Sequence, residues 1–120
     1  MKAAFDYDEE VDILYIYNPE YKGEVLFSVD IDDSVLDVGK GGKIVGVELI
    51  DASAKFSTSR EEENIVKEAL KNIIECFFKV SYGFNSITVR FGFFSLLKEQ
   101  RLREGMTLQI PIRKELVVEA

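Results

Sequence analysis

Residues 35–53 read VLDVGKGGKIVGVELIDAS, and this stretch decides the class of fold. Val35, Leu36 and Val38 form a short apolar run that stops at glycine. Gly39-Lys40-Gly41-Gly42 follows, a tight turn whose glycines supply positive φ. Ile44 to Ile50 is then a second strand, so the stretch is an antiparallel hairpin. Working outward, Glu24 to Ile31 sets Val25, Phe27, Val29 and Ile31 on one face and Ser28 and Asp30 on the other. Asp32-Asp33-Ser34 turns that strand into Val35. Farther upstream, Ala3 to Asp8 alternates Phe5 and Tyr7 against Asp6 and Asp8. After the Asp8-Glu9-Glu10 turn, Asp12 to Tyr17 sets Ile13, Tyr15 and Tyr17 opposite Leu14 and Ile16. Both faces of that strand are apolar, which predicts a central position, and Asn18-Pro19 ends it. Residues 1–56 are thus expected to form an antiparallel β-meander.

Beyond Ser57-Thr58-Ser59 the composition changes. All eight aspartates precede this point; residues 1–60 carry a net charge of −7, and residues 61–120 a net charge of zero. Aspartate suits turns, glutamate suits helix surfaces. Ser59 and Glu62 fit a capping box, and Glu61, Glu62 and Glu63 sit where a helix dipole favours them. Ile65, Val66, Ala69, Leu70, Ile73 and Ile74 follow helical spacing. The expected helix runs from about Ser59 to Phe77, although Ile74, Cys76, Phe78, Val80 and Tyr82 also alternate as in a strand, leaving its end open between residues 73 and 80. Gly83 to Ser86 reads as a turn, and Ile87, Val89, Phe91 and Phe93 as a strand. Residues 95–105 read as a charged connection with one helical turn, and Met106, Leu108, Ile110 and Ile112 as a last strand, placed at an edge by Pro111. The expectation is one α+β domain over residues 1–120, with a β-meander in 1–56 and a helix plus β-strands in 57–120. At 13.7 kDa, area scaling lets such a chain bury roughly two thirds of its unfolded surface in a single core.

Absent residue types narrow the chemistry. The chain has no histidine, which removes Ser-His-Asp and Cys-His catalysis and the usual zinc site. Its one cysteine, Cys76, lies in an apolar stretch and reads as a buried, inert thiol. The longest unbroken apolar run, Ile13 to Tyr17, is far too short to span a membrane. Residues 1–20 hold one basic and six acidic residues, unlike a secretory signal. A cytoplasmic protein with no membrane contact is expected.

Two stretches resemble a known family. Phe5 to Tyr17, FDYDEEVDILYIY, is similar to the opening of domain-of-unknown-function family 2283, a Tyr-Asp-x-Glu-x-Asp-x-Leu-Tyr-Ile pattern. Val35 to Ser53 resembles its second hallmark, a glycine-turn hairpin ending in Val-Gly-Ile-Glu-Ile-Leu-x-Ala-Ser. Asp8, Asp12, Leu14, Tyr15, Asp37, Gly46, Glu48 and Ser53 carry the match, which covers about residues 3–55. Val11 departs from the small residue common before the aspartate, and residues 56–120 lie outside the pattern. The resemblance implies a small β-meander and a partner-binding role, and it implies no reaction.

Four constellations bear on function. Asp6, Asp8 and Asp12, and Asp30, Asp32, Asp33 and Asp37, are carboxylate groups of the kind hard cations use. Counted from Asp30, however, an EF-hand would need glycine at Val35 and a carboxylate at Gly41, so these read as solvated turn residues. The Gly39–Lys43 turn lacks the glycine and hydroxyl positions of a phosphate loop. Asp12, Glu48 and Ser53 form a candidate polar pocket, read chiefly as a turn anchor because a carboxylate among apolar neighbours requires a hydrogen-bond donor. Arg90, Lys98, Arg101, Arg103, Arg113 and Lys114 make the basic region, and Leu102 to Ile110 is similar to a segment of swapped-hairpin transcription regulators of the AbrB type. Against the net charge of −7 it reads as a solvated loop, and nucleic acid is not expected as a partner.

The aromatics point to self-association. Half of the fourteen aromatic residues fall between Phe77 and Phe94. Phe93 and Phe94 are adjacent and must face opposite ways in a strand. A second covered face implies a homodimer, with Phe84, Phe93, Phe94 and Arg90 as the candidate interface. No catalytic residue, cofactor or metal site is assigned. The functional expectation is a non-catalytic protein-interaction module working as a homo-oligomer. Alternatives are an antitoxin-like or transcription-regulator-like partner protein, and a carboxylate-dependent metal binder or enzyme.

Overall fold

The computed structural model describes residues 2–111. Its sheet strands are β1 (Lys2–Asp8), β2 (Ile13–Tyr17), β3 (Phe27–Ile31), β4 (Ser34–Val38), β5 (Ile44–Ile50), β6 (Ile73–Tyr82), β7 (Ser86–Leu97) and β8 (Gln100–Pro111). Two helices, α1 (Ala52–Lys55) and α2 (Arg60–Leu70), lie between β5 and β6. The fold is broadly α+β and sheet-dominated.

The eight strands form an antiparallel sheet in the order β3-β4-β5-β2-β1-β6-β7-β8. This corrects the expected meander. The chain leaves β2 for the far edge, returns through β3, β4 and β5, and pairs β5 with β2, which is Greek-key connectivity. In the first half, the pattern of alternation gave the strands but not their neighbours. β2 is interior, as its two apolar faces predict: Leu14 and Ile16 are fully buried while Ile13, Tyr15 and Tyr17 are half-buried. The Asp32-Asp33 turn has both residues at positive φ between the paired Ile31 and Ser34, a two-residue type I′ hairpin. Gly41 and Gly42, at φ +76° and +78°, meet the positive-φ requirement of the next turn.

Helix α2 starts as expected and ends early. The Ser59 hydroxyl accepts from the Glu62 N–H at 3.2 Å. The Glu62 carboxylate reaches back to Thr58, accepting from its hydroxyl at 2.6 Å and its N–H at 3.3 Å, so the reciprocal half of the capping box falls one residue upstream. These two donors hold the Glu62 carboxyl below its ordinary range. The expected continuation to Phe77 does not occur. The helix stops at Leu70, and Ile73 to Tyr82 is strand β6, with Cys76 and Phe78 buried and Lys79 exposed. Long-range pairing with β7 decides the ambiguous segment, because every residue from Glu75 to Tyr82 has a cross-strand partner.

The charged connection expected over residues 95–105 is also corrected. β7 runs on to Leu97, Lys98 and Glu99 form a second two-residue turn with both φ positive, and β8 begins at Gln100. Lys-Glu carries none of the residue chemistry that marks a type I′ turn, so no local signal announced it. β8 is an edge strand, as Pro111 predicts; Ile112, Arg113 and Lys114 lie outside the described residues.

One apolar cluster draws from both halves. Leu14, Ile16, Leu36, Val47 and Leu49 meet Val66, Ala69 and Leu70 of α2 and Cys76, Phe78, Val89, Phe91 and Phe93 of the long strands. The Phe56 and Phe93 rings pack edge to face with centroids 5.1 Å apart. Tyr82 ties the far end of β6 back to the first half, its hydroxyl accepting from the Ile44 N–H at 3.0 Å. Among the described residues, no helix is long and apolar enough to cross a membrane.

Candidate functional site

Asp12 closes the loop between β1 and β2 with φ +56°, a left-handed conformation that aspartate tolerates better than most residues. This turns its carboxylate to the helical side of the sheet. The Ser53 hydroxyl donates to Asp12 Oδ2 at 2.5 Å, and the Ser53 N–H approaches both carboxylate oxygens at 3.2 Å. Tyr7 Oη donates to Oδ1 at 2.7 Å, and the Asp12 carbonyl accepts from the Ala52 N–H at 2.9 Å. Asp51, the residue before α1, provides no side-chain cap. Asp12 therefore caps α1 from across the sheet, satisfying N–H groups that the helix leaves open. Burial and the adjacent carboxylate push the Tyr7 phenol well above its usual value.

Of the expected pocket, Asp12 and Ser53 come together and Glu48 does not. Glu48 is paired between Tyr15 and Val35 on the opposite side of the sheet. The correction follows from strand parity: Glu48 alternates with the buried Val47 and Leu49, so it must point away from the core.

That opposite, outward face holds a second carboxylate cluster. Asp37 Oδ2 accepts from Tyr15 Oη at 2.7 Å and Oδ1 from the Ser28 hydroxyl at 2.9 Å. The Tyr15 hydroxyl passes over Gly46; a Cβ there would lie 2.8 Å from it, so glycine clears the path. Tyr15 and Tyr17 stack at 5.0 Å. Burial and the Asp37 hydrogen bond raise the Tyr15 phenol as well. Asp6, Asp8, Val11, Ile13 and Glu48 complete an open depression of about 380 Å³ around Tyr15 and Asp37. Among the described residues, no group of three acidic, histidine or cysteine side chains is placed to hold a metal ion.

The outward face of β6, β7 and β8 is different in kind. Gly92 pairs with Phe77 on one side and Gly105 on the other, and the Phe77 ring lies over both glycines. Phe94 packs beside Phe77 at 6.0 Å. The Arg101 guanidinium stands 5.2 Å from the Phe94 centroid, and Arg103 lies 5.0 Å from Phe77 and 5.8 Å from Phe94. The candidate interface therefore divides. Phe93 is fully buried core and drops out as a contact residue. Phe94 is half-buried under arginines of its own chain, Arg90 is exposed on the same face, and Phe84 is 97% exposed at the tip of the β6–β7 hairpin. Sequence reasoning did not foresee the roles of Tyr7, Tyr15 and Phe77, and it read Arg101 and Arg103 as a solvated basic loop rather than as cover for aromatic rings. Tyr7 lies five residues from Asp12 and was legible as a hairpin neighbour; the Tyr15–Asp37 pair depends on strand order and had no local signal.

Cys76 is buried on the inner face, and burial, with a smaller contribution from Glu75, pushes its thiol up to about 12. It is mainly protonated near neutrality and a poor nucleophile.

Residues 4–53 match the model of the family described as "Protein of unknown function (DUF2283)", in agreement with the resemblance read over residues 3–55. The matched segment runs from β1 to the Ser53 that Asp12 holds. Among curated proteins, one from Methanosarcina mazei named "Putative hypoxanthine phosphoribosyltransferase" is 37% identical over 73 residues, covering 59% of this chain and 50% of that protein. An uncharacterized protein of Methanocaldococcus jannaschii is 33% identical over 75 residues, covering 62% of this chain and 58% of that protein. The chain spans about half the length of these curated relatives. No solved structure matches it.

Proposed function

We propose that this chain is a non-catalytic, cytoplasmic protein-interaction module that works as a homo-oligomer. One observation carries the reading: a run of apolar side chains stands in solvent at the β3 edge of the sheet. Val25 is 46% exposed, Leu26 59%, Phe27 55% and Val29 36%. Fully burying each such side chain contributes about 1.5–3 kcal/mol, so a row of them drives association. The polar chemistry supports the same reading. Asp12 and Asp37 already accept short hydrogen bonds from tyrosine and serine hydroxyls, which fits anchoring better than turnover. Phosphoribosyl transfer, the activity in the name of the Methanosarcina relative, has less support, since the glycine-rich turn at Gly39–Lys43 has Asp37 and Ile44 where a phosphate loop needs a glycine and a hydroxyl.

Sedimentation at micromolar to submillimolar concentration tests the reading: the mass should lie near twice 13.7 kDa. A wild type that stays monomeric across that range overturns it.

A second reading, a regulator-like partner of nucleic acid, draws on the outward face of β6–β8, where Lys79, Arg90, Arg101 and Arg103 flank Phe77 and Phe94. Retardation of a single-stranded probe at physiological salt, lost in the Arg101→Ala/Arg103→Ala double variant, would favour it.

A further inference from the structure

Among the described residues, the sheet ends on two edge strands, and they are built differently. β8 carries Arg101, Arg103, Glu104 and Pro111, the charges and proline that discourage edge-to-edge pairing. β3 reads FSVDI and carries one charge, Asp30. Its partner β4 pairs with one side of its backbone, and among the described residues no strand pairs with the N–H and C=O groups of the other side. Phe27, Val29 and Ile31 share the inner face with Val38, Leu36 and Ser34, whereas Ser28 and Asp30 point outward.

We infer that β3 pairs antiparallel with β3 of a second copy, about a twofold axis through Val29 and perpendicular to the sheet. The inference rests on the homo-oligomer reading above and supplies its contact. Residues directly opposite in an antiparallel pair share a face, so such an axis must pass through a residue of the strand. Three centres are open to FSVDI. Centring on Asp30 sets two like carboxylates directly opposite each other, which is destabilising. Centring on Ser28 sets Leu26 against Asp30, an apolar side chain opposite a carboxylate. Centring on Val29 sets Phe27 against Ile31, Val29 against Val29, and Asp30 against the Ser28 hydroxyl. Of the three, only this register keeps apolar opposite apolar on the inner face while setting a small polar residue, rather than a second carboxylate or a leucine, opposite Asp30 on the outer face. The two eight-stranded sheets join into one continuous sheet, and the isologous contact closes on itself, removing both β3 edges.

Phe94, covered by Arg101 and Arg103, plays no part in the contact. The test compares wild type, Val29→Lys and Phe94→Asp by sedimentation, with circular dichroism to check folding. The expected result is a dimer for wild type and for Phe94→Asp, and a monomer with unchanged secondary structure for Val29→Lys. A dimeric Val29→Lys overturns the β3 contact and leaves the homo-oligomer reading standing; a monomeric wild type overturns both. Amide hydrogen exchange on the wild type decides the matter if Val29→Lys does not fold. The β3 amides should be protected at dimer concentration and should exchange at least tenfold faster on dilution to monomer. Fast β3 exchange in a dimeric sample places the contact elsewhere. Protection that appears only when an extended apolar peptide is added gives the edge to a different partner, and also overturns the inference.

Discussion

On β4, the Asp37 carboxylate takes hydroxyl donors from Tyr15 and Ser28; on β7, the Phe94 ring lies beside the guanidiniums of Arg101 and Arg103. Both sit on the outward face of one sheet, away from the shared core. The β1–β5 half fastens that face with hydrogen bonds across strands, and its acidic residues gather there. The β6–β8 half fastens it with stacked arginine and phenylalanine over a pair of glycines. The difference teaches that a single sheet layer can partly cover its outer face with its own side chains. The dense aromatics of β6–β8 are partly covered by arginines of their own chain, and the contact proposed above lies instead at the β3 edge, where Val25, Leu26, Phe27 and Val29 stand in solvent.

The strongest way to break the comparison is to separate core from face on β7. Phe93→Ala should cost about 3–5 kcal/mol, because the ring is fully buried and packed against Phe56. Phe94→Leu, one residue away, should cost about 1 kcal/mol, since it loses cation–π contacts and partial burial only. Urea unfolding of both variants measures the gap; equal losses would make the outward face a second core.

A smaller effect separates the two carboxylate clusters of the first half. Asp12→Ala should cost about 2–3 kcal/mol by releasing Tyr7, Ser53 and the start of α1 at once. Asp37→Ala, on the open face, should cost about 1 kcal/mol. Reversal of that order in chemical denaturation would move the anchor from the β1–β2 loop to the outer face.

Titration sharpens the same contrast. Tyr7 and Tyr15 hold their phenols above the unfolded value, chiefly through burial and then through hydrogen bonds to Asp12 and Asp37. A raised acid favours its protonated form in the fold, so this contribution is complete below about pH 10 and is lost as pH rises through the folded values. Urea midpoints at pH 8 and pH 11 should show the loss, and Tyr7→Phe should reduce it; an unchanged midpoint at pH 11 would remove the tyrosine anchors from the stability of the sheet.

The smallest expected change concerns Glu104, which faces inward opposite Phe93 and has its carboxyl raised by burial and, to a lesser degree, by Glu62. The protonated form is favoured in the fold, so the benefit is present below about pH 4.3 and is lost as pH rises through the folded value. Glu104→Gln should therefore stabilise by a few tenths of a kcal/mol at pH 7, given solvent screening, and by nothing at low pH. Thermal melts at both pH values check it; destabilisation at pH 7 would mean that the carboxylate has an unrecognised donor.

How much was legible depended on whether the decisive contact was local. Strand β5 was read with its exact bounds, Ile44–Ile50, because glycine bounds it on one side and alternation carries it through. Asp12 and Ser53 were legible as a polar pair because a carboxylate beside apolar strands needs a donor. Their geometry was not, since it depends on where β5 delivers α1. Glu48 falls outside the pair because alternation with the buried Val47 and Leu49 sets it on the outward face. Phe94 was assigned to the outward face correctly, yet its cover could not be foreseen while residues 95–105 were read as a connection, because Arg101 and Arg103 reach it only from a paired β8.

By itself, the sequence determined the strands of the first fifty residues, the turns at Asp32-Asp33 and Gly39–Gly42, the cap of α2 at Ser59 and the exclusion of histidine chemistry. Each follows from side-chain type and spacing within a few residues, where backbone sterics and local hydrogen bonds dominate. The tertiary structure decided that β5 pairs with β2, that residues 73–82 are strand, that Lys98-Glu99 is a hairpin turn, and which aromatic residues are covered. These depend on pairing between residues far apart in the chain, whose backbone hydrogen bonds and shared burial outweigh local propensity.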